Sequence, residues 1–370
     1  MKADAYGHGI EAVARACVRW GSHMLAVANL QEFLHLRSLG ISIPILVLEE
    51  LFPDELEPAV RAGARLSVGS SAYARQLSAT ARRLGTTAVV HINVDTGMGR
   101  MGLVAGTRRV DEVLEIAGLA ALDPEGIYTH FPGSDEADKR PSEEQIALLS
   151  TLVDQLAGRG LRFRYRHIAN SAALLDFPGA VDWELARPGV AVYGMYPSRD
   201  VDESLGLRPV MRVESALVKI TRHEQAATVG YGRTYRAPAG AVIGIVPIGY
   251  GDGYPRLLSN RASVLVGGRR VPLVGRVSMD MISVDLSGLD PEPAVGDEVV
   301  LLGAQGEAMI DARELAELAG TISYEITCGI APRVPRVYLR AGTAVALRTV
   351  QSGYHEIDPA KARNAGSGGT

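Results

Sequence analysis

The chain has 370 residues, 47% hydrophobic and 22% charged, a balance that excludes general disorder; at roughly 150 residues per domain it suggests two domains, each with its own core. Lysine and arginine number 38 against 42 acidic residues, and a net charge of −4 argues against nucleic acid or an anionic membrane as partner. Only Cys17 and Cys328 are present, which excludes a disulfide scaffold and a multi-thiolate metal centre, and the longest apolar run, around Ala241–Ile248, is far short of a membrane span.

Short apolar runs at Met24–Ala28, Pro44–Glu49, Arg65–Val68, Ala88–Asp95, Gly126–His130, Phe163–Ala169 and Trp183–Arg187 read as strands. Helical patterns lie between them, among them Leu30–Ser38, Ala72–Leu84, Val110–Ala117 and Glu143–Ala157. Strands alternating with helices imply a parallel sheet with crossover helices, and seven strands fall one short of a (β/α)8 barrel. After about Pro188 the rhythm changes to short β-branched segments between Gly, Pro and Asp turns: Val213–Thr221, Ala241–Pro247, Arg261–Val266, Arg270–Val274, Met281–Asp285 and Glu298–Leu302. The expected organisation is an α/β barrel over 1–205, an antiparallel β domain over 206–350 and a tail over 351–370, with Asn364–Thr370 having nothing to pack.

Chemistry in such a barrel belongs at the C-terminal ends of its strands. There the sequence places Thr96-Gly97-Met98-Gly99-Arg100, Thr129-His130, His167, Asn170-Ser171 and Arg187-Pro188-Gly189. A rim of cations and a Gly-rich turn suits an anionic ligand such as a phosphate. No H-E-x-x-H, G-x-S-x-G or carboxylate pair occurs at these ends, and Gly249–Tyr254 reads as a turn rather than a nucleotide loop because no helix pattern follows it. Were the ligand pyridoxal phosphate, a lysine would form its Schiff base, and only Lys2, Lys139, Lys219 and Lys361 exist. Lys139 follows the acidic stretch Ser134–Asp138, where a solvated ion pair is expected; Lys219 lies in a β-half strand and Lys361 in the tail. Lys2 precedes a turn that launches a helix over Ile10–Trp20, the place where the eighth strand would end.

Lys2-Ala3-Asp4-Ala5-Tyr6-Gly7-His8-Gly9 resembles the lysine motif of the alanine racemase family, fold-type III pyridoxal-phosphate enzymes. The resemblance continues in order through Val94–Arg100, Tyr128–Phe131, Ala169–Ala173, Arg187–Gly194, Val229–Tyr235, Ile248–Gly253, Gly275–Asp280 and Arg333–Arg336, so it spans both halves. It implies a (β/α)8 barrel, here truncated at its first strand, followed by the β domain. It also implies pyridoxal 5'-phosphate as cofactor, a homodimer with shared active sites, a small amino-acid substrate, no metal, and a cytoplasmic enzyme supplying D-alanine for peptidoglycan.

By the same resemblance Lys2 carries the cofactor and is one catalytic base, while Tyr231 from the partner subunit is the other. Tyr6, Ser171 and the amides of Gly189 and Val190 hold the phosphate, His130 faces the cofactor ring and Arg187 meets the pyridine nitrogen. Arg100 positions the cofactor phenolate and the substrate carboxylate; Met279 limits the pocket and Tyr250 lines the way in. A tyrosine, with an ordinary pKa of about 10, must be lowered to act as a base at neutral pH, and His130 with Arg187 behind it is the neighbour for that.

Three departures stand out. Asn93 replaces a lysine, often carbamylated, that the family carries two residues before the aspartate, so a looser Arg100 or a bound anion such as chloride is expected. Pro332 replaces a tyrosine before Arg-Val-Pro-Arg, which widens the pocket and makes serine a second substrate to consider. The family's upstream β segment, helix and strand are missing, which reads Met1 as an internal residue and predicts low stability and weak activity for the chain as it stands. Decarboxylases sharing the barrel are disfavoured by the lack of a Cys-Asp motif, zinc-dependent relatives by the lack of a His/Cys ligand pair, and a non-catalytic cofactor-binding barrel by the β half.

Overall fold

The computed structural model describes residues 1–104, 109–177 and 182–357 and divides into two compact units. One comprises Met1–Ala3 and Val13–Arg208; the other comprises Asp4–Ala12 and the chain from Pro209 onward.

In the first unit, parallel strands Leu25–Val27, Ile45–Val47, Arg65–Val68, Ala88–Asp95, Leu122–Tyr128 and Tyr165–His167 pair in chain order, and the short Leu103–Val104 adds to Ala88–Asp95. They are buried on both faces, the usual state of parallel strands with helices outside. Helices Leu30–Ser38, Ser71–Arg83, Arg109–Ala117 and Arg140–Gly158 bring in Phe33, Leu36, Leu77, Ile116, Leu149 and Leu156, all fully buried. Asn29 and Ser70 cap the first two, each accepting the backbone N–H three residues on. Polar side chains recur at every second position inside: Ser67 meets Tyr128, His91 meets His167, and the Tyr128 and His167 rings stack 4.7 Å apart.

Trp183–Arg187, expected as the seventh strand, is not a regular strand. Its backbone bonds the neighbouring segment through Leu185 N–H, to Arg166 O at 3.3 Å, and Arg187 N–H, to Ala169 O at 2.8 Å, while Arg166 N–H donates to the Glu184 side chain instead of continuing a ladder, and Pro188 ends the run. On the other side the Met1 amino group donates to Ala26 O at 2.7 Å. The fold is a parallel α/β barrel followed by an antiparallel β domain.

The second unit is built on an eight-stranded antiparallel sheet. The stretch expected as one strand, Val213–Thr221, is two: Val213–Ala216 pairs with Glu298–Gln305, and Lys219–Arg222 pairs with Val242–Val246. Between them Leu217 N–H donates to Asp297 O and Val218 N–H to Ile245 O, so the segment changes partners without interrupting its hydrogen bonds and joins the two ends of the sheet. Two helices in this half were not expected, Ala312–Ala319 and Ser323–Cys328. A three-stranded sheet, Arg336–Arg340, Thr343–Thr349 and Gly353–Glu356, runs past residue 350 into the stretch expected as tail, while Asn364–Thr370 lie outside the described residues.

Candidate active site

The barrel's strand ends bring together one group of the expected residues. Arg187, half-buried, donates through one terminal nitrogen to His167 Nδ1 at 2.5 Å and through the other to Thr129 O at 2.7 Å; the second also lies 3.4 Å from His130 Nδ1. Its guanidinium carbon sits 5.1 Å from the centre of the Tyr128 ring. Among the described residues its hydrogen-bond partners are neutral rings and carbonyls, and burial without an anion lowers its pKa to about 10. The His130 imidazole is pushed down to about 3, by burial first and then by the charges of Arg187, Arg100 and Lys2. Lys2, Arg100, Arg187 and His130 therefore share one electrostatic neighbourhood, in which the imidazole is neutral.

Ser171 opens the short helix Ser171–Asp176, capped by Asn170, and its Oγ accepts N–H bonds from Gly189 at 2.8 Å and Ala191 at 3.2 Å. Val190 is buried and begins a turn of 3-10 helix over Val190–Tyr193. The amides on either side of Val190 thus meet at Ser171 Oγ, which accepts from both and leaves the hydroxyl proton as the donor an anion would meet. Arg100 is exposed at the end of its turn, and among the described residues no hydrogen bond or ion pair fixes it. Both Asp95 oxygens accept amides of that turn, from Gly97 and Gly99.

Two residues after Lys2 the chain passes into the other unit, at Asp4. Ala3, Asp4, Ala5 and Tyr6 have φ between 54° and 56°, a left-handed helical turn. Tyr6 lies 5.8 Å from the Tyr324 ring, and burial raises its pKa. Lys139 does not pair with its preceding acidic stretch: its Nζ meets Asp176 at 2.6 Å and the carbonyls of Ser134 and Asp200. A helix cap and a loop share this ammonium, so it serves packing. Lys219 is exposed on a strand, and Lys361 lies outside the described residues.

In the β unit the remaining expected residues sit on adjoining loops and face outward, Tyr231 being 70% exposed, Met279 53% and Tyr250 44%. Tyr250 N–H donates to Ser278 O and Gly251 N–H to Met279 O, so these two loops are stitched together. Gly249 permits it, since a Cβ there would lie 2.3 Å from Ser278 O. Arg333 ties the loops to Pro332 by donating to Asp252 and Asp280 at 2.7 Å. His91 and Glu125, deeper in the barrel, were not singled out by sequence; the signal was a histidine inside an otherwise apolar strand. Among the described residues no group of three or more His, Cys, Asp or Glu is placed to hold a metal, and no helix is long and apolar enough to cross a membrane.

A parallel α/β barrel with cations gathered at its strand ends, followed by an antiparallel β domain, defines the class of protein. The family model described as alanine racemase, N-terminal domain matches residues 1–197, and that described as alanine racemase, C-terminal domain matches 210–338. The chain belongs to the alanine racemase family. It is 46% identical to an alanine racemase of Syntrophobacter fumaroxidans over 89% of this chain and 87% of the relative, and 41% identical to one of Desulfosudis oleivorans over 94% and 91%. The crystal structure of alanine racemase from Clostridium difficile 630 is similar with a TM-score of 0.88 at 35% identity, covering 94% of this chain and 90% of that one. That of Bacillus anthracis with bound L-Ala-P has a TM-score of 0.87 at 35% identity, covering 95% and 90%.

Proposed function

We propose that the protein interconverts L- and D-alanine with pyridoxal 5'-phosphate as cofactor, using Lys2 and Tyr231 as the two bases and supplying D-alanine for peptidoglycan in the cytoplasm. The observation that carries this reading is Arg187, a half-buried cation whose hydrogen-bond partners among the described residues are neutral, beside a neutral His130 and near Lys2. That environment fits an electron-rich ring nitrogen, and the convergence of Ser171 Oγ with the Gly189 and Ala191 amides fits a phosphate. Lys2 would carry the cofactor, with Tyr6, Ser171, Gly189 and Val190 holding its phosphate, His130 against its ring and Arg187 at its nitrogen. When bound, the group delocalises the charge left by removal of the substrate α-proton.

The chain's own groups do the rest. Lys2 Nζ exchanges the proton on the D face and Tyr231 Oη on the L face, and Arg100 holds the substrate carboxylate. Arg187 keeps its own proton at neutral pH and would only donate a hydrogen bond to the ring nitrogen, which would make the group a weaker electron sink. The exposure of Tyr231, Met279 and Tyr250 supports their presentation to a second copy of the chain, hence a homodimer with residues 1–205 and 206–350 contributing to shared sites. A second reading, activity on serine as well, is favoured by Pro332 lying on the loop that Arg333 ties to the Tyr250 and Met279 loops.

The test is an assay of both directions in deuterated water over alanine and serine, with Tyr231→Phe. The expected result is D-alanine formation, visible absorption from lysine-bound cofactor, and a larger loss in L-alanine deprotonation than in D-alanine deprotonation. Equal loss in both directions sinks the two-base assignment. Cofactor binding without racemisation of any small amino acid would leave a binding protein instead.

A further inference from the structure

A chain of buried polar groups runs beneath Arg187 and takes no part in the function above. His167 Nε2 lies 2.8 Å from His91 Nδ1, and His91 Nε2 lies 3.2 Å from Glu125 Oε2. Arg65 Nε approaches the same carboxylate oxygen at 3.3 Å, and Arg164 reaches the other at 3.9 Å. Both histidines are fully buried, and the backbone makes room for them: a Cβ on Gly126 would lie 2.5 Å from His91 Nδ1.

The donor inventory allows one arrangement of protons. A guanidinium only donates, so His167 Nδ1 must accept from Arg187 and its proton sits on Nε2. That N–H donates to His91 Nδ1, leaving the His91 proton on Nε2, where it donates to Glu125. A carboxylate only accepts, so both ends enforce the same direction. Burial keeps the two imidazoles neutral, and the bond from His91 with the charge of Arg65 holds the Glu125 carboxyl down to about 2, ionised at any working pH.

We propose that Glu125 and His91 are positioning residues for Arg187: the directed chain locks His167 in its Nε2–H form, which keeps Nδ1 free to accept the guanidinium and so fixes the guanidinium at the barrel mouth. This rests on the reading of Arg187 as the partner of the cofactor ring nitrogen. Were His167 to carry its proton on Nδ1, a donor would face a donor at 2.5 Å and Arg187 would have to move.

The test is histidine nitrogen NMR on the purified protein, with and without pyridoxal 5'-phosphate, at pH 7. In the unaltered protein His91 and His167 should both be Nε2–H; a proton on His167 Nδ1, or an imidazolium at either position, overturns the proposal without any variant being made. In Glu125→Gln the amide can donate as well as accept, so the chain can reverse: a second set of signals with His167 Nδ1–H should appear. kcat for alanine should fall about tenfold with KM little changed, because a misplaced group costs rate. Glu125→Asp, which only accepts, should keep one set of signals, and Arg164→Gln should change neither spectrum nor kcat. A single unchanged set in Glu125→Gln overturns the proposal whatever its activity. Arg187→Gln with unshifted cofactor absorption would take down the reading of Arg187 itself, while the histidine signals decide the chain independently.

Discussion

Arg100 is an exposed cation at the end of its turn. Among the described residues its guanidinium makes no hydrogen bond or ion pair, yet its charge is felt at His130 and Tyr128. The nearest acid along the chain, Asp95, spends both oxygens on the Gly97 and Gly99 amides. Asn93, buried two residues earlier on the strand, brings no charge. An inorganic anion beside Asn93 would supply the missing charge, so racemisation should rise saturably with chloride at constant ionic strength, by roughly fivefold as for a coupling of about 1 kcal/mol. Asn93→Asp, which supplies a fixed charge, should remove most of the dependence. Rates that stay the same when chloride is replaced by gluconate would show that Arg100 is oriented by substrate alone.

The left-handed turn after Lys2 is a strained element. Four consecutive L-residues, Ala3 to Tyr6, sit where each costs about 1–2 kcal/mol. Within the β unit, Arg348 donates to both Asp4 oxygens at 2.7 Å, Asp4 also accepts Ile10 N–H at 2.9 Å, and Arg336 donates to the carbonyls of Gly7, Ile330, Ala331 and Val334. Gly7, with φ +79°, lies so close to Thr327 O that a Cβ would sit 1.9 Å from it. Strain of this kind persists only where surrounding contacts over-determine it. Arg348→Ala should therefore cost about 2 kcal/mol of stability, the scale of a hydrogen bond to a charged group. It should also weaken pyridoxal phosphate binding, read by titrating the visible absorption; a lower Tm with unchanged affinity would make Arg348 a stabiliser that leaves Lys2 in place. None of this was legible in Ala-Asp-Ala-Tyr, which has no left-handed preference of its own, whereas Gly7 and Gly9 did mark a turn. The barrel strands were legible because hydrophobic runs alternate with helices. The partner change at Leu217–Val218 was not, because the β-branched pattern runs straight through it. The helix Ala312–Ala319 did carry its signals, Asp311 capping its start and Gly320 in the left-handed region at its end, but the strand rhythm around it masked them.

At the scale of the whole molecule, the barrel rim was legible as polar residues at strand ends, but which side chains meet beneath it depends on register that no single strand displays. That register buries His91 and His167. His8, His91, His130 and His167, half of the eight in the chain, all have pKa values lowered primarily by burial, His130 to about 3 and His8 to about 4. The sign follows from proton counting: below about pH 6.5 the unfolded chain protonates these imidazoles while the folded one does not, so stability is full above that pH and falls as pH drops. Each such group contributes about 1.4 kcal/mol per pH unit, so His130 and His8 together give about 2.7 kcal/mol per unit down to roughly pH 4. Glu125, depressed to about 2, adds stability that is present above its unfolded value and is lost as pH falls through roughly 4.5 toward 2. The exposed pairs of Glu57 and Asp138 add little because solvent screens them. The urea midpoint should thus drop between pH 6.5 and 5 by the equivalent of at least about 4 kcal/mol from His130 and His8, with His91 and His167 adding in the same direction. His8→Asn keeps a donor for the Ala5 and Tyr6 carbonyls that His8 Nδ1 faces at 3.0 and 2.9 Å, removes one titration, and should halve the slope from these two groups. A midpoint that stays level from pH 7 to 5 would mean that the histidines accept protons in the folded state, and the neutral imidazole assigned to His130 would fall with it.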